Sequence, residues 1–74
     1  SAASDVYKRQ AIKTLKEAVK YDETNVKALY FLGRGFQKQQ KYDKAKKYYE
    51  TIINDFPDSD RVALSKAKLT EMGY

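Results

Sequence analysis

The 74-residue chain contains no cysteine and no histidine, a single proline and three glycines. Without cysteine there is no disulfide, no thiolate nucleophile and no zinc–thiolate site, and the redox compartment is left open. Without histidine the commonest general base and metal ligand is missing. No apolar run approaches the roughly 20 residues of a membrane span, and no signal peptide is legible. The residues that remain form no catalytic constellation. Gly33-Arg34-Gly35 lacks the Lys-Ser/Thr and the preceding strand of a phosphate loop, and Asp55, Asp58 and Asp60 miss the spacing of an EF-hand loop. These three carboxylates read instead as helix-ending and N-capping groups around Pro57. The expectation is a non-enzyme with no cofactor and no metal.

What is present is charge, tyrosine and helical periodicity. Fifteen Lys/Arg against ten Asp/Glu give +5, and seven tyrosines dominate the aromatics. A chain this short buries only about 60–65% of its unfolded surface, so it is marginal alone. The stretch Asn25 to Pro57 carries two apolar rows: Leu29, Leu32, Gly33 and Phe36, then Ala45, Tyr49, Ile52 and Phe56. Each recurs every three or four residues, one face of a helix, and the polar turn Gln39-Gln40-Lys41 separates them. The rows predict an antiparallel helical hairpin, with Gly33 and Ala45 small where the axes approach to about 8–10 Å. Pro57 ends the second helix. Tyr42, Tyr48 and Tyr49 are placed on or beside the core face, and Gly35 is expected to admit a neighbouring helix.

The order Leu29-x2-Leu32-Gly33-x2-Phe36, Ala45-x3-Tyr49, Pro57 resembles one complete tetratricopeptide repeat. Ile52 departs from that pattern, since a small residue is usual there. The resemblance implies an all-α fold of antiparallel helix–turn–helix repeats, an α-solenoid fragment of about four helices. A shift of thirty-four residues, the family's period, sets Ala11 on Ala45, Leu15 on Tyr49 and Ala18 on Ile52. Residues 11–25 then read as the second helix of a repeat whose first helix is absent, residues 26–59 as a complete repeat, and 60–74 as a C-terminal capping helix. The shift also puts Lys66 on Leu32 and Thr70 on Phe36, so the last helix loses the large residues that would hold another partner. Helices are predicted over 11–21, 26–38, 42–55 and 60–71, with Thr24 or Asn25 and the Asp58–Asp60 loop supplying N-caps. Residues 5–10 resemble a translated sequencing-library adapter, which makes 1–10 an expected non-native extension. The Phe56-Pro57-Asp58-Ser59 turn before the final helix is similar to the last repeat of bacterial cell-envelope tetratricopeptide proteins.

The resemblance implies a protein–protein scaffold that takes a peptide or partner helix in a concave groove lined by the first helix of each pair. On this chain the groove residues are Lys27, Tyr30, Arg34 and Lys38, off the core row, continued by Arg61, Leu64 and Lys68. Their cations suit acidic protein segments. The family's carboxylate clamp is not reproduced: Arg34 and Phe31 stand where an Asn and a cation are needed, and only Lys27 fits. The lysine run Lys38, Lys41, Lys44, Lys46 and Lys47 points in several directions, which favours a solvated face over a nucleic-acid stripe. Nucleic-acid binding through that surface, or service as the docking tail of an enzyme, are the alternative functions. The unpartnered Ala11–Val19 face also raises self-association.

Overall fold

A computed structural model describes the backbone of residues 2–22 and 24–74, and the side chains of these except residues 2–5 and 8. Expectations that involve Glu23 or the side chains of Asp5 and Lys8 lie outside the described residues. Four α-helices follow in order: α1 (Ala2–Tyr21), α2 (Val26–Lys38), α3 (Tyr42–Asp55) and α4 (Arg61–Glu71). No strand is present among the described residues. α2 packs against all three other helices, and α3 packs against α2 and α4. The molecule measures 38 × 31 × 17 Å, and its thinnest dimension holds two helix layers. The thirty-four-residue register appears in the elements themselves, since α1 ends at Tyr21 and α3 at Asp55.

Local chemistry fixes the helix ends. Asn25 Oδ1 accepts from the backbone N–H of Ala28 at 3.0 Å, an N-cap that starts α2. Asp22 Oδ1 accepts from the Thr24 N–H and hydroxyl at 3.0 and 2.6 Å and shapes the preceding turn. At the C-terminus of α2, Gln40 N–H donates to the Gln37 carbonyl and Lys41 N–H to the Phe36 carbonyl, both at 2.9 Å. This is a Schellman ending, and it requires a left-handed residue at Gln40, where φ is +61°. α4 ends the same way, but Gly73 takes the left-handed position at φ +90°. Gln40 has a Cβ where glycine would have none, so Gln40→Gly is expected to raise stability by about 1 kcal/mol. Urea unfolding of the two proteins measures this directly.

Within the Asp58–Asp60 loop expected to cap α4, the capping group is Ser59 and not Asp60. Asp60 has helical angles (φ −63°, ψ −18°) rather than the extended ones of a capping residue, and its side chain makes no cap hydrogen bond. Ser59 Oγ accepts from the Arg61 N–H instead, at 3.2 Å. α1 starts nine residues earlier than the periodicity predicts, because residues 2–10 contain little that resists helix.

The core runs through all four helices: Ile12, Leu29, Leu32, Phe36, Ala45, Tyr49 and Ile52 are buried, with Val62, Leu69 and Met72 packed against them. At its tightest point a Cβ added to Gly33 would lie 2.6 Å from the Tyr49 ring, so only glycine permits this approach. A Cβ on Gly35 would meet Ile12 at 3.0 Å, and that close contact seats α1 on α2. Tyr48 stacks on Phe36 with centroids 5.7 Å apart. Tyr42 departs from the expectation: it sits at the first turn of α3 and is exposed, beyond the reach of the core.

α4 has one packed face and one wet face. Val62, Ser65, Leu69 and Met72 face inward, while Ala63, Lys66, Ala67 and Thr70 are exposed. Ser65 is fully buried and its hydroxyl has no hydrogen-bond partner. Ser65→Ala removes that unsatisfied group while keeping the volume, so stability should hold or rise by up to about 1 kcal/mol. A loss above that in urea unfolding would show that the hydroxyl is satisfied in solution.

Candidate functional site: the face shared by α2 and α4

The repeat register brings equivalent positions of α2 and α4 side by side. Gln37 and Glu71, thirty-four residues apart, touch: Gln37 Nε2 donates to Glu71 Oε2 at 3.2 Å. Tyr49 Oη donates to Gln37 Oε1 at 2.9 Å, and Lys68 Nζ lies 3.2 Å from Glu71 Oε2. A polar chain therefore runs from the core out to the surface and ties α3, α2 and α4 together. Beside it lies an open cleft of about 430 Å³ lined by Arg34, Gln37, Lys38, Tyr42, Lys68 and Glu71.

Arg61 is held over two aromatic rings, 5.2 Å from the Tyr30 centroid and 5.6 Å from that of Phe31. Arg34 lies 5.8 Å from the Phe31 centroid. Stacking holds a guanidinium by its flat face and leaves its N–H edge free for a carboxylate. The cleft itself has three cations, Arg34, Lys38 and Lys68, against the single carboxylate of Glu71. The Gln37 amide, then the Lys68 ammonium, hold the Glu71 carboxyl below the ordinary glutamate range. Hydrogen bonds from Thr24 likewise hold Asp22 low.

The sign of the resulting pH effect is fixed. A carboxyl lowered in the folded state adds stability above its unfolded pKa, about 4, which is lost as pH falls through the folded value. Both groups are exposed, so the effect is small. Acidification from pH 5 to pH 2 is expected to lower the urea midpoint, and Glu71→Gln to flatten that dependence. An identical pH profile in the variant would remove Glu71 from the tie between the helices.

Of the seven groove residues expected from the sequence, Arg34, Lys38 and Lys68 meet at the cleft, and Arg61 stands on the same face. Lys27 and Leu64 are exposed on α2 and α4. Tyr30 is a correction: it is 6% exposed and belongs to the core, 5.9 Å from the Tyr49 ring. α2 has neighbours on three sides, so its buried arc is wider than one row, and Tyr30 forms the floor beneath Arg61. Gln37, Tyr42 and Glu71 also line the cleft, outside the expected groove set. The register itself held the signal, since Gln37 and Glu71 are the same position in successive repeats.

No three carboxylates gather as a metal site among the described residues, and no described helix is long and apolar enough to cross a membrane. No curated protein and no solved structure matches the chain. A family model for the tetratricopeptide repeat matches residues 9–69, most of the sequence and all four helices in whole or part. The periodicity, the four-helix stack and this match agree: the chain belongs to the tetratricopeptide repeat family, whose repeats are protein-interaction scaffolds.

Proposed function

We propose that the chain binds an acidic segment of a partner protein on the face shared by α2 and α4. The observation that carries this reading is the pair of stacked guanidinium groups, Arg61 over Tyr30 and Phe31, and Arg34 beside Phe31, next to a cleft with a three-to-one excess of cations. In this reading Arg34 and Arg61 grip carboxylates edge-on, Lys27, Lys38 and Lys68 supply charge, and the exposed Leu64 meets an apolar side chain of the partner. The rings beneath restrict the guanidiniums before binding, which lowers the entropy lost on association. No step of covalent chemistry is involved.

The lysine run favours this reading over nucleic acid. Lys44 lies 5.6 Å from the Phe36 ring centroid, and Lys46 lies 4.5 Å from that of Tyr74 and 3.9 Å from Glu50. These two ammonium groups are engaged with different neighbours, which weighs against a single stripe that tracks a phosphate backbone.

The test is titration of the labelled chain with a peptide of alternating Glu and Leu, its Gln-for-Glu counterpart, and a single-stranded oligonucleotide. Binding of the Glu peptide that weakens with salt and is lost in the Gln peptide supports the proposal. Equal binding of both peptides, or tighter binding of the oligonucleotide, overturns it.

A further inference from the structure

Among the described residues that line the α2/α4 cleft there is one carboxylate, Glu71, and it already occupies donors that an incoming carboxylate needs. A single oxygen, Oε2, takes both the Gln37 amide nitrogen and the Lys68 ammonium, each at 3.2 Å. The amide is turned for this contact from below. Tyr49 is fully buried and donates its hydroxyl to Gln37 Oε1 at 2.9 Å, which leaves Nε2 as the end that faces Glu71.

The donors are held more firmly than the acceptor. The Lys68 side chain is 26% exposed and that of Glu71 is 55% exposed. Glu71 is also the last residue of α4, so its side chain can turn into water by rotating about its own bonds. Arg34 and Lys38, the other cations of the cleft, have no ion-pair partner among the described residues.

Two donors from neighbouring helices that converge on one oxygen make a carboxylate subsite, filled in the free chain from within. Withdrawing Glu71 with nothing in its place leaves an amide and a partly buried ammonium unpaired, which is costly. A second carboxylate restores both contacts, so an exchange of one for the other is nearly balanced, and the unpaired Arg34 and Lys38 tip it toward the newcomer. A segment without a carboxylate has nothing to offer these donors and leaves Glu71 where it is. We propose, on the reading of this face as the seat of an acidic segment, that Glu71 is an internal stand-in for the partner. The segment displaces it and takes the Gln37 amide and the Lys68 ammonium with an acidic side chain of its own.

Calorimetric titration with the alternating Glu-Leu peptide, amidated at its C-terminus, tests this in four full-length chains. They are the parent, Glu71→Ala, the pair Gln37→Met with Lys68→Met, and that pair with Glu71→Ala. Glu71→Ala is expected to tighten binding about tenfold in the parent, where the competitor is removed, and less than about twofold in the paired background, where the subsite is gone as well. An equal gain in both backgrounds overturns the proposal, since it reports only the loss of one negative charge near the peptide. No gain in the parent also overturns it and leaves the acidic-segment reading standing, whereas no binding in either the parent or Glu71→Ala overturns both. The Gln37 side-chain amide resonances give a reading that needs no second background. They are expected to move in Glu71→Ala and to return toward their parent positions as the peptide saturates, and resonances that stay displaced overturn the proposal.

Discussion

Tyr49→Ala is expected to leave the chain largely unfolded at 25 °C. Tyr49 is fully buried; its ring packs against Gly33, lies 5.9 Å from Tyr30, and its hydroxyl reaches Gln37. Truncating a buried aromatic costs about 3–5 kcal/mol, because the lost transfer energy is joined by the cavity left behind. A chain of this size has roughly 4–10 kcal/mol in total, and its small core puts it toward the lower end. Tyr49→Phe keeps the ring and loses one hydrogen bond, for about 1 kcal/mol. Burial, and then the nearby Tyr30, push the Tyr49 phenol above the ordinary tyrosine range. Its contribution is therefore complete below about pH 10 and is lost as pH rises beyond that. Tyr49→Phe should blunt alkaline unfolding accordingly. Circular dichroism at 222 nm with urea titration checks the series. Gly33→Leu alone should also be severely destabilising, but less so in the Tyr49→Ala background, where the ring it strikes is gone. A Tyr49→Ala protein with a cooperative transition within about 1 kcal/mol of the parent would mean that α2 and α3 are not held together by this contact.

Reversing the two stacked arginines together, Arg34→Glu with Arg61→Glu, is expected to weaken binding of the alternating Glu-Leu peptide about a hundredfold. A charge-assisted hydrogen bond is worth about 1.5–3 kcal/mol, and each 1.4 kcal/mol is tenfold in affinity. The fold should survive. Arg61 opens α4, where a carboxylate is favoured by the helix N-terminus, and this offsets part of the lost stacking on Tyr30 and Phe31. A calorimetric titration beside a urea curve separates lost binding from lost structure. Unchanged affinity in a folded variant would remove both guanidiniums from the site.

Much of this architecture was legible in the chain, and for identifiable reasons. The ends of α2 and α3 fall where the sequence places them, because Asn25 caps one start and Pro57 enforces one stop. Gly33 and Ala45 mark the close approach, since a Cβ at Gly33 collides with a buried ring. The start of α1 was not legible, because neither a cap nor a breaker marks it and propensity alone extends the helix. The left-handed turn at Gln40 was hidden by a residue type that rarely adopts it. The candidate face was legible in its cations, which stand at helical spacing off the core row. Tyr30 was misplaced because a single-row reading cannot see that α2 is buried on three sides. Tyr42 was misplaced for the opposite reason, since it begins α3 before the packed turns.

The most direct measurement of the central claim is an amide chemical-shift map of the chain during titration with the alternating Glu-Leu peptide. The saturating shifts are expected to gather on Lys27, Arg34, Lys38, Arg61, Leu64 and Lys68, with those of the outer lysines Lys41 to Lys47 unmoved. Shifts centred on Lys41 to Lys47, or no saturable change anywhere, would contradict it.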